Sequence, residues 1–340
     1  MNTLLFIHGP EGLQMGVEDG FMHLEKTKKI NKLKWFYYRE YAKKNKKCDI
    51  QKKMFEVAKS FQPQLIVFFH ILDLPVNDKF FLSFKNLESK PTIVYHEEDM
   101  YGGWSKPMTK SMKIAFKNAD IVSISGLGKW YKNALKYNKT VIYTTHSNRL
   151  FRYSQKIELA KERSKDILFI GNRVRSRLGN IRRLHGAKNK EKIVSEVGKH
   201  FKTEFALFGK GWDNFPGNKG ALNFHKQANV CPEYWFHLSY EHYPEIPYYF
   251  STRLPIALSL GQIYICHLHE GYKDMFKNTD FIYFYKNEDE AIDILNYLKT
   301  LSNEQLYQKS VNAKKWANEN LSPLVVWGNF YERIKSISNR

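Results

Sequence analysis

Short, continuous apolar runs alternate along this chain with stretches in which apolar positions recur every third or fourth residue. Runs at 4–8, 65–70, 92–96, 121–125 and 141–144 read as strands buried on both faces, with 34–38 a weaker one. Helical spacing lies over 48–61, closed by Pro63, and over 109–118 and 128–137. A polar stretch at 151–164 then separates a second series. Strands are expected there at 166–170, 204–209, 235–240, 263–267 and 281–285, and helices at 190–200, 255–260, 288–300, 303–320 and 325–337. Alternation of this kind predicts an α/β protein made of two Rossmann-like, doubly wound domains facing a cleft. The boundaries fall at 1–150 for the first domain and 165–320 for the second, with 321–340 left over. In such sheets ligands bind outside the carboxyl ends of the strands, so the strand-end loops are where chemistry is sought.

Composition narrows the class. A chain of 340 residues, 43% hydrophobic and 15% aromatic, is globular and long enough for two cores. No run approaches the roughly 20 apolar residues that span a bilayer, and the first nine residues carry too short an apolar run for a secretory signal. Cys48, Cys231 and Cys266 are too scattered for a disulfide framework or a zinc site, which points to a reducing compartment and a cytoplasmic protein. The net charge of +20 is concentrated. Residues 26–59 hold thirteen Lys/Arg against three acids, and 161–192 hold eleven against three. Such concentration implies a polyanionic partner: nucleic acid, an anionic membrane surface, or a phosphorylated substrate. An AT-rich genome explains surplus lysine, but less easily Arg173, Arg175, Arg177, Arg182 and Arg183.

Three strand-end loops of the second domain suit an anion. Gly171-Asn172-Arg173 offers a close backbone approach and a forked guanidinium, in neither a Walker nor a Gly-x-Gly-x-x-Gly pattern. Gly209-Lys210-Gly211-Trp212 is the second. Ser251-Thr252-Arg253 opens a short helix that Gly261 ends, and unpaired N–H groups at such a start favour negative charge. Each alone reads as an ordinary turn or cap; three in one domain carry more.

In order and spacing, Phe169-Ile-Gly-Asn-Arg173, Gly209-Lys-Gly-Trp212, the block from Ser251 to Gly261, and Phe276 to Asp280 with Tyr285 resemble GT-B glycosyltransferases, group 1, of the spore-maturation-protein-B (CgeB) type. About half of the chain carries the likeness. The resemblance implies a nucleotide-diphosphate sugar as donor, UDP- or GDP-linked, without a metal. It places the diphosphate against Arg173, Lys210, Arg253 and the Ser251/Thr252 backbone, among Gly171, Asn172, Gly209 and Trp212. Arg253→Ala is then expected to reduce transfer by orders of magnitude with folding intact. One departure stands out: Pro255 and Ile256 replace the aromatic residue and the glutamate that holds the donor ribose, leaving Glu270 or Asp274 as substitutes. The last helix, with Trp327 and Tyr331, looks like the one that returns onto the first domain in this fold.

The first domain would then hold the acceptor, and its chemistry is argued from residues. His96, Glu98 and Asp99, in a row with Glu97 after an expected strand, are the candidate base; repulsion among the acids would raise at least one pKa. The same row reads equally as an acidic turn capping a helix. His8 with Glu11, His70 with Asp73, and His146 are further candidates, His70 also reading as a core histidine. Three functions remain open: transfer onto a glycan or lipid-linked acceptor beside the inner membrane face; transfer onto DNA, as a phage base-modifying enzyme in its host's cytoplasm; or a non-catalytic binding module on the same scaffold.

Overall fold

The computed structural model describes residues 1–45, 49–71, 74–101, 106–173 and 186–338; Cys48, Asp73, Arg175, Arg177, Arg182 and Arg183 lie outside them. The chain divides into two compact units, Met1–Arg149 with Pro323–Arg340, and Leu150–Ser322.

The first unit is built on β1 (Asn2–Ile7), β2 (Lys32–Tyr37), β3 (Leu65–Phe69), β4 (Thr92–Glu97), β5 (Ile121–Ile124) and β6 (Val141–Tyr143). They form one parallel sheet in the order β2-β1-β3-β4-β5-β6. Alternate residues of β1 serve opposite faces. Leu5 and Ile7 join Val17, Phe21 and Leu24 of helix Met15–Lys26 and Trp327, Phe330, Tyr331 and Ile334 of helix Pro323–Ser338. On the other face Phe6 stacks on Phe68 at 4.9 Å, beside Phe84 of helix Asp78–Lys85. The helix Met15–Lys26 is absent from the sequence pattern, because Gly16 and Gly20 interrupt its apolar stripe. Their reason is tertiary. A Cβ at Gly20 would stand 2.4 Å from the Trp327 ring and 2.7 Å from the Pro323 carbonyl oxygen.

The second unit has β7 (Ser164–Ile170), β8 (Phe205–Phe208), β9 (Tyr234–Ser239), β10 (Ile263–His267) and β11 (Ile282–Tyr285), parallel, in the order β11-β10-β9-β7-β8. Helices Ala187–Phe201 and Glu288–Thr300 contribute Ile193, Val194, Val197, Leu295 and Leu298 to one core. Helices Arg253–Ser259 and Asn303–Asn320 contribute Leu254, Ala257, Ala313 and Ala317 to another. Start signals are in place: Asn287 caps Glu290, and Ser302 with Gln305 forms a capping box. Gly261, at φ +73°, follows the helix Arg253–Ser259 as expected. The connecting stretch contains one short helical turn, Phe151–Ser154.

Strand order fixes where a ligand site is built. In the first unit the connections reverse direction between β1 and β3, and in the second between β7 and β9. Loops leaving such a pair diverge to opposite faces, opening a crevice at the carboxyl ends.

Candidate functional site at two strand-end crevices

In the second unit the loop after β7 begins with Gly171, and the loop after β9 begins with Tyr240 and Glu241. Two cationic side chains converge on Gly171. A Cβ there would lie 3.3 Å from Arg253 Nη1 and 3.5 Å from Lys190 Nζ, so glycine keeps the space above the strand end open. Lys190 is 1% exposed. Its ammonium donates to the Asn172 carbonyl oxygen at 2.6 Å and lies 2.7 Å from His242 Nε2. Burial lowers its pKa, Arg253 lowers it further against Glu241 and Glu191, and it titrates well below an ordinary lysine. Arg253 is held by Glu241, Nη2 to Oε2 at 2.8 Å. Glu241 Oε1 also accepts from the Ser251 hydroxyl at 2.9 Å and the Ser251 N–H at 3.2 Å. Burial raises the Glu241 carboxyl, but Arg253, His269 and the Ser251 bonds outweigh it and hold it ionised.

This corrects the expected arrangement at the helix start. The anion there is an internal carboxylate, Glu241, and Ser251 donates to it. Thr252 occupies the N-cap position without a side-chain cap bond. Arg253→Ala would leave Glu241 buried without its partner, at a cost of about 3–5 kcal/mol, so that variant is expected to lose stability as well as any ligand contact.

The remaining expected residues fall into two groups. Gly209 lies against the Gly171 carbonyl, where a Cβ would come within 2.3 Å of the oxygen, and its φ of +147° is one that glycine adopts freely. Asn172 and Lys210 link the loops after β7 and β8, Lys210 N–H donating to Asn172 Oδ1 at 2.9 Å, while the Lys210 side chain is exposed. Arg173 N–H donates to the Lys210 carbonyl oxygen at 2.9 Å. Its guanidinium pairs with Glu191 at 3.0 Å over the Phe215 ring. Trp212 is a structural pin, fully buried, its indole N–H donating to the Gly171 carbonyl oxygen at 2.6 Å. Glu270 is exposed, and among the described residues its carboxylate has no hydrogen-bond or ion-pair partner. Ile256 is buried within helix Arg253–Ser259.

In the first unit the crevice lies between the loops after β1 and β3, which place the rings of His8 and His70 4.7 Å apart, edge to face. His70 adopts φ +55°, a left-handed conformation that costs about 1–3 kcal/mol in a residue other than glycine. Its Nδ1 lies 2.5 Å from Glu97 Oε1. Glu97 is fully buried and also accepts from the Tyr95 hydroxyl at 2.8 Å and the Asp99 N–H at 3.1 Å. Burial lowers the His70 pKa, but the Glu97 charge and hydrogen bond outweigh it, and the net shift is upward.

The expected acidic row is thereby divided by strand alternation. Glu97 turns to Tyr95 and His70, while His96 and Glu98 share the other side. His96 is a core histidine, 1% exposed, packed on Phe69, Trp327 and Phe330 and hydrogen-bonded to Ser123 at 2.9 Å. Burial pushes its pKa down to about 4. Glu98 is closed off by Arg149, with His146 at 3.8 Å, and Asp99 by Lys106 at 2.7 Å. Repulsion does not dominate: burial raises both carboxyls, and Arg149 on Glu98 and Lys106 on Asp99 carry each below its usual value. Glu11 stays at the loop surface.

His70, Glu97 and Asp99 form the cluster among the described residues whose ligand atoms lie within 4.8 Å of one another. The Nδ1–Oε1 separation of 2.5 Å fits a shared proton. Two ligands on one tetrahedral zinc at 2.0–2.1 Å stand roughly 3.3 Å apart, so as arranged His70 and Glu97 are spaced for a hydrogen bond rather than for zinc.

With the two crevices placed, the class of fold is defined: two parallel Rossmann-like units in one chain, the GT-B fold. Solved structures of that fold match end to end. The glycosyltransferase from Rickettsia africae ESF-5 superposes with a TM-score of 0.61 at 13% identity, over 99% of this chain and 98% of that one. Anabaena Alr3699/HepE, in complex with UDP and glucose, gives 0.55 at 11%, over 98% and 99%. A putative UDP-N-acetylglucosamine 2-epimerase from Listeria monocytogenes gives 0.56 at 10%, over 99% and 96%. No protein-family profile matches the chain, and no curated protein matches it by sequence. Among the described residues no helix is long and apolar enough to cross a membrane.

Proposed function

We propose that this protein is a glycosyltransferase that takes a sugar from a nucleotide-diphosphate donor, bound in the second unit, to a hydroxyl acceptor bound in the first. One observation carries the reading: Lys190 and Arg253 meet over Gly171 at the β7/β9 crevice, and among the described residues Arg253 alone of the two has a carboxylate in contact. The charges of Glu241 and Glu191 offset the burial of Lys190 only in part, and a diphosphate seated above Gly171 supplies the remaining counter-charge. The same cations stabilise the charge that develops on the departing diphosphate as the glycosidic bond breaks. UDP in the HepE complex, on the same fold, supports a uridine donor. The motif likeness to the CgeB type adds to this, and with Ile256 buried the ribose contacts come from groups other than the family glutamate.

For the base we take His70 in place of His96 and Glu98. Glu97 fixes the tautomer that carries its proton on Nδ1, leaving Nε2 to accept the proton of the acceptor hydroxyl. Asp99 stays beside the site as a charge paired with Lys106. The acceptor is a glycan or lipid-linked hydroxyl, made at the cytoplasmic face of a membrane.

The test is calorimetric titration of UDP and GDP, followed by hydrolysis of a panel of nucleotide sugars. Lys190→Met, which removes the charge but keeps the volume, is expected to weaken nucleotide-diphosphate binding roughly ten- to a hundredfold while retaining the fold. Equal affinity in the wild type and this variant would sink the donor assignment.

A further inference from the structure

Helix Tyr38–Lys44 follows β2 at the edge of the first unit and carries Arg39 and Lys43 one turn apart. Like charges at this spacing repel. Lys44 finds Glu40 at 3.9 Å, but among the described residues Arg39 and Lys43 have no acidic partner. Both line a cavity of about 280 Å³, together with His8, Tyr38, Ala42, Ile50 and Leu74. Its chemistry is two-sided. Ile50 and Leu74, both buried, with Ala42 give an apolar wall, and the guanidinium and ammonium give a cationic one. His8 joins this cavity to the β1/β3 crevice, its ring against that of His70.

We propose that this cavity binds a phosphate carried on an apolar group, and that this phosphate belongs to the acceptor. Arg39 holds two phosphate oxygens with its planar fork, Lys43 adds a second charge, and the apolar carrier lies along Ile50 and Leu74. Placement of the acceptor hydroxyl at His70 rests on the glycosyltransferase reading; binding of the phosphate does not. Two paired charges beside one apolar wall suit a single phosphate better than a nucleic-acid backbone, which needs a track of several cations.

The test titrates octyl phosphate into the full chain and compares octyl glucoside, which has the same tail without the charge. Octyl phosphate is expected to bind at least tenfold more tightly than the glucoside. The Arg39→Gln/Lys43→Gln variant is expected to lose at least tenfold, its thermal melt checking the fold. Raising salt from about 0.05 to 0.5 M is expected to weaken binding in the wild type alone. Co-sedimentation with phosphatidylcholine vesicles, with and without phosphatidic acid, separates the sources: capture by phosphatidic acid through Arg39 and Lys43 identifies a lipid phosphate, and its absence beside octyl phosphate binding identifies a soluble one. Octyl phosphate binding the wild type and the variant alike overturns the inference, as does failure to bind at all, or tighter charge-dependent binding of a single-stranded oligonucleotide. UDP is titrated in parallel. A chain that binds octyl phosphate through these residues but not UDP keeps this site and loses the donor assignment.

Discussion

Arg253 shows how one residue serves two masters. Read as a sequence, it is a free guanidinium at a helix start; in the fold it neutralises Glu241. A stability consequence follows that a purely ligand-binding arginine would not have. Arg253→Ala is expected to cost about 3–5 kcal/mol by urea denaturation, and Arg253→Met combined with Glu241→Gln markedly less, since removing both charges leaves none stranded. Additive losses in that cycle would show that the two side chains do not depend on each other. Glu97 makes a separable prediction. Its charge raises the His70 pKa while burial lowers it, and a base acts when neutral, so the rising limb of activity against pH lies above the ordinary histidine value. Glu97→Gln removes the raising charge and leaves the burial, so the limb is expected to move to lower pH as turnover falls. A fall in kcat with the limb unmoved would leave Glu97 a packing role only. Neither Glu241 nor Lys190 was picked out from sequence, yet Lys190 gave a signal. Ala187, Ile193, Val194, Val197 and Phe201 define the apolar stripe of their helix, and Lys190 falls on it. A lysine on a buried stripe is a question about its counter-charge.

Elements were more legible than residues, because a strand buried on both faces leaves a plain record. Each expected strand is found near its place, including the half-exposed β2, whose Leu33, Trp35 and Tyr37 pack on one face while Phe36 meets Phe6 on the other. Helices whose partners determine their composition were not legible. Met15–Lys26 carries glycines for close approach: Gly16 against Ser147 and the Asn148 carbonyl, Gly20 against Trp327. Gly20→Ala therefore gains helix propensity but forces the helix off Trp327, and a net loss of about 1–3 kcal/mol is expected in thermal or denaturant unfolding. A stabilised variant would show that this interface has slack.

At the scale of the whole molecule, the first unit is discontinuous in sequence, since Pro323–Ser338 supplies Trp327, Phe330, Tyr331 and Ile334 to its core. Burial of these four side chains is worth on the order of 8 kcal/mol, comparable to the entire stability of a domain. The fragment Met1–Arg149 is thus expected to lack a cooperative melt by circular dichroism, whereas Leu150–Ser322 melts cooperatively on its own. Cooperative folding of the first fragment would mean that the last helix only decorates a finished core. The same arrangement orders events during synthesis. A growing chain exposes β1 and β3 long before Trp327 exists to cover them, while the second unit has all of its strands in hand first. The half of the protein made first is completed last, so the largely aliphatic sheet face of Leu5, Ile7, Val67, Phe69 and Val94 waits through the making of more than half of the chain, and a stalled or clipped product is left with that surface open.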